Sequence, residues 1–173
     1  MRLSIPLLML VIVQAAGCAA MSPPPVKAKV TMEPKSASSV AGEVLMTETR
    51  GVVHAHIALK GLAPGSEHGF HVHEKGDCSA ADATSAGGHF NPAGSAHGRA
   101  GSAVHHAGDL PSLTADASGN VRTDLVLEGV TLGAGPNSMV GRSLVVHGGR
   151  DDYTTQPTGN SGPRVACGVV VAR

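Results

Sequence analysis

Apolar residues recur at every second position through residues 52–60. Val53, Ala55, Ile57 and Leu59 fall on one side, and His54, His56 and Lys60 on the other. A strand turns successive side chains to opposite faces, so this run reads as a half-buried strand. Further short Val-rich runs occupy residues 27–32, 40–49, 67–74, 121–127, 140–147 and 166–171. Turn residues separate them, including Arg50-Gly51, Pro64-Gly65 and Gly119-Asn120. Long helical periodicity is absent beyond the N-terminal segment, and no internal repeat is present. These seven runs predict an all-β domain, and the expected architecture is an eight-stranded Greek-key barrel or sandwich of immunoglobulin-like outline, one strand more than the runs mark. Two long loops interrupt it, at residues 75–110 and 148–164.

The same alternation sorts the histidines. In Gly-Phe-His-Val-His (69–73), Phe70 and Val72 face inward while His71 and His73 share the outward face. Two imidazoles side by side on a rigid strand make half of a metal site, and imidazole suits copper and zinc. On the strand at 140–147, Leu144 and Val146 share one face, and Val145 and His147 the other. The pair His54 and His56 reads as a solvated outer face, because nothing downstream completes it.

The 75–110 segment is too long for a structureless loop in a compact domain unless it is functional. It carries His89, His97, His105, His106 and Asp109. Its apolar content is mostly alanine, so metal ligation rather than packing is expected to order it. Three imidazoles and a carboxylate, His89, His97, His106 and Asp109, can close a tetrahedral zinc site. His105 competes with its neighbour for that role, and the spacing to Asp109 favours His106. His71, His73 and His147 offer three nitrogens that, with a fourth, suit tetragonal copper(II). His89 lies between the two groups in sequence and is the natural shared ligand. A shared imidazole loses both ring protons, which two flanking cations permit.

Gly-Phe-His-Val-His (69–73), Gly-Gly-His-Phe-Asn-Pro (87–92), His-Ala-Gly-Asp-Leu (106–110), Val-Val-His (145–147) and Gly-Asn-Ser-Gly-Pro-Arg-Val-Ala-Cys-Gly (159–168) together resemble the copper/zinc superoxide dismutases of the bacterial periplasmic type. The resemblance spans nearly all of residues 26–173. It implies one copper per subunit, on His71, His73, His89 and His147, and one zinc, on His89, His97, His106 and Asp109. It implies that Asp151 links His71 to His97 and that His68 braces the backbone near the copper strand. It further implies that Arg164 stands beside the copper and that Cys78 and Cys167 form a disulfide. The implied activity is an antioxidant one. Superoxide is dismutated to oxygen and hydrogen peroxide by a redox-cycling copper bridged through His89 to a structural zinc, with His89 and Arg164 as the catalytic residues. The segment 78–86 carries Asp82 and no lysine, unlike some bacterial relatives, so anion steering falls to Arg164 and Lys75. The family includes homodimers whose contacts differ between branches, and no patch in this sequence selects one.

Composition narrows the alternatives. The chain has 173 residues, which suggests one folded domain large enough to need no metal merely to fold. Formal net charge is zero and no basic run tracks a phosphate backbone, so nucleic acid is not an expected partner. Arg2, the apolar residues 3–13 and the small residues Ala15, Ala16 and Gly17 precede Cys18. This reads as a secretory signal, too short to span a membrane, and it resembles a bacterial lipoprotein signal. The expected organisation is a signal at 1–17, a lipidated Cys18 with a proline-rich tether at 18–25, and the dismutase domain at 26–173. Removing the signal leaves twelve basic against thirteen acidic residues. The expected location is the periplasm, anchored by lipid to the envelope, and Ala19 rather than aspartate favours the outer membrane. Lipidation of Cys18 leaves Cys78 and Cys167 as a pair in a compartment that permits a disulfide. The main competing reading is a periplasmic copper-buffering lipoprotein on the same fold, which would need neither Arg164 nor a second metal. A purely structural zinc domain would not need His71, His73 and His147, and a hydrolytic zinc enzyme would need an open coordination position.

Overall fold

Residues 24–173 are described by a computed structural model. Ten strands follow in order: β1 (Val26–Pro34), β2 (Ala41–Thr49), β3 (Val52–Lys60), β4 (Glu67–His68), β5 (Phe70–His73), β6 (Leu113–Thr114), β7 (Val121–Leu127), β8 (Ser143–His147), β9 (Arg164–Val169) and β10 (Val171–Ala172). Among the described residues the helical content is a single 3-10 turn at Thr84–Ala86. An eight-stranded antiparallel sheet runs β5-β8-β9-β1-β2-β3-β7, with β10 also paired to β1, and β4 pairs with β6. This curled antiparallel sheet with non-sequential neighbours is the expected all-β, Greek-key architecture.

The period-two pattern sets the core. Val30, Met32, Val44, Met46, Val53, Ile57, Phe70, Val72, Leu144 and Val146 enter one apolar cluster. Each such side chain contributes about 1.5–3 kcal/mol when fully buried. On β3 the alternation is one-sided, with Val53, Ala55, Ile57 and Leu59 buried and His54 and His56 exposed. β5 and β8 are buried on both faces. Their outward side chains lie beneath the long loops, and Val145 joins Ala83, Ala86 and Cys167 in a second small apolar cluster. His71 and His73 thus point away from the core, as the alternation predicts, but they do not face water.

Several boundaries differ from the sequence pattern. The run at 67–74 breaks at Gly69, whose amide bonds the Gly149 carbonyl and whose carbonyl accepts from the His147 amide. The predicted strand at 140–147 begins only at Ser143, after a turn at Gly141 with φ of 78°. The run at 166–171 starts earlier, at Arg164, and divides into β9 and β10 at Val170.

The long loop also differs in what orders it. Phe90 and Leu110 enter the main core, so packing contributes where alanine-rich composition suggested that it could not. Backbone bonds stitch the loop along β5. Phe90 donates to Val72, Val72 to Gly108, Gly108 to Phe90, Glu74 to Gly88, and Leu110 to Phe70. A Cβ on Gly108 would collide with the Val72 carbonyl, so the close approach of loop to strand requires glycine there.

Candidate metal centre

The stitching fixes the first ligands. His73 is bridged to His89 and His71 to Asp109 in isolated antiparallel pairs beside β5. β8 brings in His147. A register shift between Val146 and His147 sets Arg164 of β9 directly opposite His147. His97 and His106 arrive on the same loop as His89. Two groups of ligand atoms result, His71, His73, His89, His147 and His89, His97, His106, Asp109, each with its atoms within 4.8 Å of one another and all seven residues buried. His105 belongs to neither group, and its Nδ1 donates to the His106 carbonyl.

In the first group every ring has one nitrogen committed. His71 donates through Nε2 to Asp151 Oδ2 at 2.8 Å. His73 donates through Nδ1 to the Gly87 carbonyl at 2.9 Å, and His147 through Nδ1 to the Gly162 carbonyl at 3.1 Å. His89 directs Nδ1 at Asp109 Oδ1, 3.0 Å away. The other nitrogens, His71 Nδ1, His73 Nε2, His89 Nε2 and His147 Nε2, are buried with no hydrogen-bond partner. A neutral imidazole has one donor and one acceptor nitrogen, so these four atoms are inward-facing lone pairs. Burial, which penalises the charged ring, holds His71 down to about 4 and His147 down to about 3, and pushes His73 well below the ordinary histidine range. Four buried lone pairs facing one another repel, and a cation relieves them. The donor set fits copper.

The second group is organised by a carboxylate. Asp109 Oδ1 accepts from His89 Nδ1 and His97 Nδ1, each at 3.0 Å, and lies 3.2 Å from His106 Nδ1. Its Oδ2 accepts the His106 and Gly98 amides. Burial alone would raise the Asp109 pKa, but these donors hold it far below the usual carboxylate range. For His97, burial opposes the charge, yet the hydrogen bonds to Asp109 and Asp151 prevail and raise it to about 9. Burial lowers His106. Three nitrogens and one oxygen without an open position fit a closed zinc site. His89 turns Nε2 to the first group and Nδ1 to the second.

Asp151 ties the groups together. Its Oδ2 holds His71 and its Oδ1 accepts from His97 Nε2 at 2.9 Å. Burial would raise its pKa, and the two imidazole donors and the Tyr153 amide outweigh that and lower it. The Asp151–His97 contact leaves no room beside it. A Cβ on Gly159 would strike Asp151 Oδ1, and its φ of 65° also favours glycine.

The residues 40–170 match the copper/zinc superoxide dismutase family. The chain belongs to that family. It is 42% identical to superoxide dismutase [Cu-Zn] 2 of Aquifex aeolicus over 76% of this chain and 79% of the relative. It is 45% identical to superoxide dismutase [Cu-Zn] of Cordyceps militaris, over 65% of this chain and 75% of that one. It is 34% identical to superoxide dismutase-like protein YojM of Bacillus subtilis, over 95% of this chain and 94% of the relative.

The remaining residues implied by the family resemblance surround these two groups. His68 is buried and donates through Nδ1 to the His147 carbonyl at 2.8 Å. Arg164 is half-buried, and its guanidinium donates to the carbonyls of Ala83 at 2.6 Å and Gly87 at 2.7 Å. Burial lowers its pKa, and the nearby Asp82 charge raises it. Lys75 is exposed at the start of the long loop. Cys78 and Cys167 are joined in a disulfide, which fastens that loop to β9. The signal at 1–17 and Cys18 lie outside the described residues.

Some participants escaped the sequence reading. The Gly87 carbonyl accepts from both His73 and Arg164, but a carbonyl has no letter in the sequence. Gln156 brackets His97, accepting its amide at 2.8 Å and donating to its carbonyl at 2.9 Å. No spacing rule links residues 97 and 156.

Proposed function

We propose that this chain dismutates superoxide with one copper held by His71, His73, His89 and His147 and one zinc held by His89, His97, His106 and Asp109. Two superoxide anions and two protons become one dioxygen and one hydrogen peroxide. The observation that carries this assignment is the set of four convergent, buried and unpartnered imidazole nitrogens. Copper supplies two accessible valences, which let an electron pass from one superoxide to the next, a property zinc lacks.

The chain's own residues do the rest. Arg164 attracts the anion through a charge-assisted hydrogen bond, and its two carbonyl acceptors fix the guanidinium beside the first group. His89 Nε2 takes up a proton and delivers it to the product peroxide, while its Nδ1 side stays held among the second group. Asp151 keeps the His71 and His97 rings in the required tautomers, leaving Nδ1 of each for a metal.

The protein works in the periplasm. Residues 1–17 serve as a lipoprotein-type signal, Cys18 as the lipidated anchor and 18–25 as the tether. Support comes from the apolar run before Cys18 and from a disulfide suited to an oxidising compartment.

Metal content and superoxide consumption, measured on one sample before and after copper is supplied, test the assignment. The expected result is about one copper and one zinc per chain with copper-dependent turnover. Bound copper without turnover would favour the copper-buffering lipoprotein.

A further inference from the structure

We propose that His54 and His56, on the outer face of β3, form a separate solvent-facing chelate for copper(II). The chain has ten histidines. Six supply the two buried ligand groups, His68 braces the His147 carbonyl, and His105 bonds the His106 carbonyl. His54 and His56 remain, both exposed and both on one face of a single strand.

Three features make this pair more than a wet strand face. The backbone is rigid, because β3 is hydrogen-bonded on both sides, to β2 and to β7. His54 lies opposite Thr47 on β2 and Val126 on β7, and His56 opposite Leu45 and Asp124. The two Cα atoms stand about 6.6 Å apart along the strand, a gap that two imidazoles leaning toward each other can close on one ion. The third feature is Asp124, which hydrogen-bonds one member of the pair, His56, from a strand that sequence spacing did not connect to it. Its Oδ1 lies 2.8 Å from His56 Nδ1. An ionised carboxylate only accepts, so the ring proton sits on Nδ1 and Nε2 presents a lone pair to water. A histidine whose second nitrogen donates to a carboxylate is the usual form of a metal-ligating histidine, and Asp151 treats His71 in the same way with the two nitrogens exchanged.

The charges around the pair are mixed, with Asp124 and Glu43 against Arg122 of β7 and Lys27 and Lys29 of β1 on the same outer face. On the next pair of positions, Glu43 of β2 and Arg122 of β7 flank Ala58 and offset one another. Glu43 is also paired with Lys29. Two nitrogen ligands with the remaining positions open to water suit tetragonal copper(II), and the Irving–Williams order places copper above nickel and zinc on such ligands. His54, His56 and Asp124 belong to neither buried ligand group, so this site shares no ligand with them.

The test uses tag-free protein already loaded with copper and zinc. Copper(II) alone is added in equilibrium dialysis, with electron paramagnetic resonance reading the new ligand field. Zinc content is followed, so that exchange at the buried group is not counted. One additional saturable copper per chain is expected. His54→Ala and His56→Ala should each weaken it at least roughly tenfold, and Asp124→Asn several-fold, as loss of a supporting carboxylate does. Superoxide consumption should stay unchanged in all three. Absence of an additional copper equivalent, or unchanged affinity in either histidine variant, would overturn the proposal.

Discussion

β3 and β5 carry the same motif in two environments. Each has two histidines two positions apart, with apolar side chains on the other face. Over β3 there is water, whereas over β5 lies a loop sewn to the strand edge and fastened by Phe90, Leu110 and a disulfide. The cover changes the chemistry. It supplies further ligands, excludes the water that would compete for the ion, and suppresses protonation of the rings by desolvation. A His-x-His pair is therefore only a start. What covers the pair, and which carboxylate orients it, decides whether it becomes a closed centre or an open chelate.

The sharpest way to break the contrast is to remove the ligand that β8 contributes. His147→Ala should abolish copper retention and activity while the zinc group, which lacks this residue, keeps its ion. Metal analysis and superoxide consumption would show it, and retained activity would remove His147 from the copper group. Next is the orienting carboxylate. Asp151→Asn cannot accept from two imidazoles as strongly, and metal affinity should fall about 10–100-fold, read by chelator competition. A smaller effect is expected at Arg164. Arg164→Ala should keep both metals, slow turnover by roughly tenfold or more and flatten its dependence on salt, since electrostatic capture is the step removed. An unchanged rate would reduce Arg164 to a structural clamp.

Acid and base should separate the two buried groups most gently. In metal-free protein, His71 and His147 stay neutral down to about 4 and about 3, below the ordinary value of 6.5. The unfolded chain binds those protons first, so stability falls as pH drops from about 6.5 toward 4. His97 is raised to about 9. Its contribution is complete below 6.5 and is lost as pH rises through 9. His73 and His106 are lowered as well, so the gain continues above 6.5, and thermal unfolding of the metal-free protein should show greatest stability at about pH 7, before the loss at His97 prevails. A melting temperature that climbs steadily from pH 6.5 to 9.5 would contradict the charged His97.

Legibility followed the strength of one-sided burial. β3 and β7 match the predicted runs at both ends, because each alternates between core and water. The ends of β5 and β8 were less visible, since strands buried on both faces lose that contrast. β6 is two residues long and carries no period at all. In the centre, the imidazoles and carboxylates stood out as letters in motifs. The carbonyls of Ala83, Gly87 and Gly162 did not, because any residue could supply them. Asp124 was hidden for another reason, since cross-strand register joins it to His56 across 68 positions.

The separation of the main apolar cluster from the ligands bears on the order of events in the life of the chain. On β5 the ligand side chains His71 and His73 stand on the face opposite Phe70 and Val72, which enter that cluster. In small zinc modules the free energy of binding is the free energy of folding, so the ion must be present at collapse. Here the barrel carries its own driving force. Collapse, disulfide closure and ion uptake can follow one another as distinct stages, the ions entering a chain that has already folded.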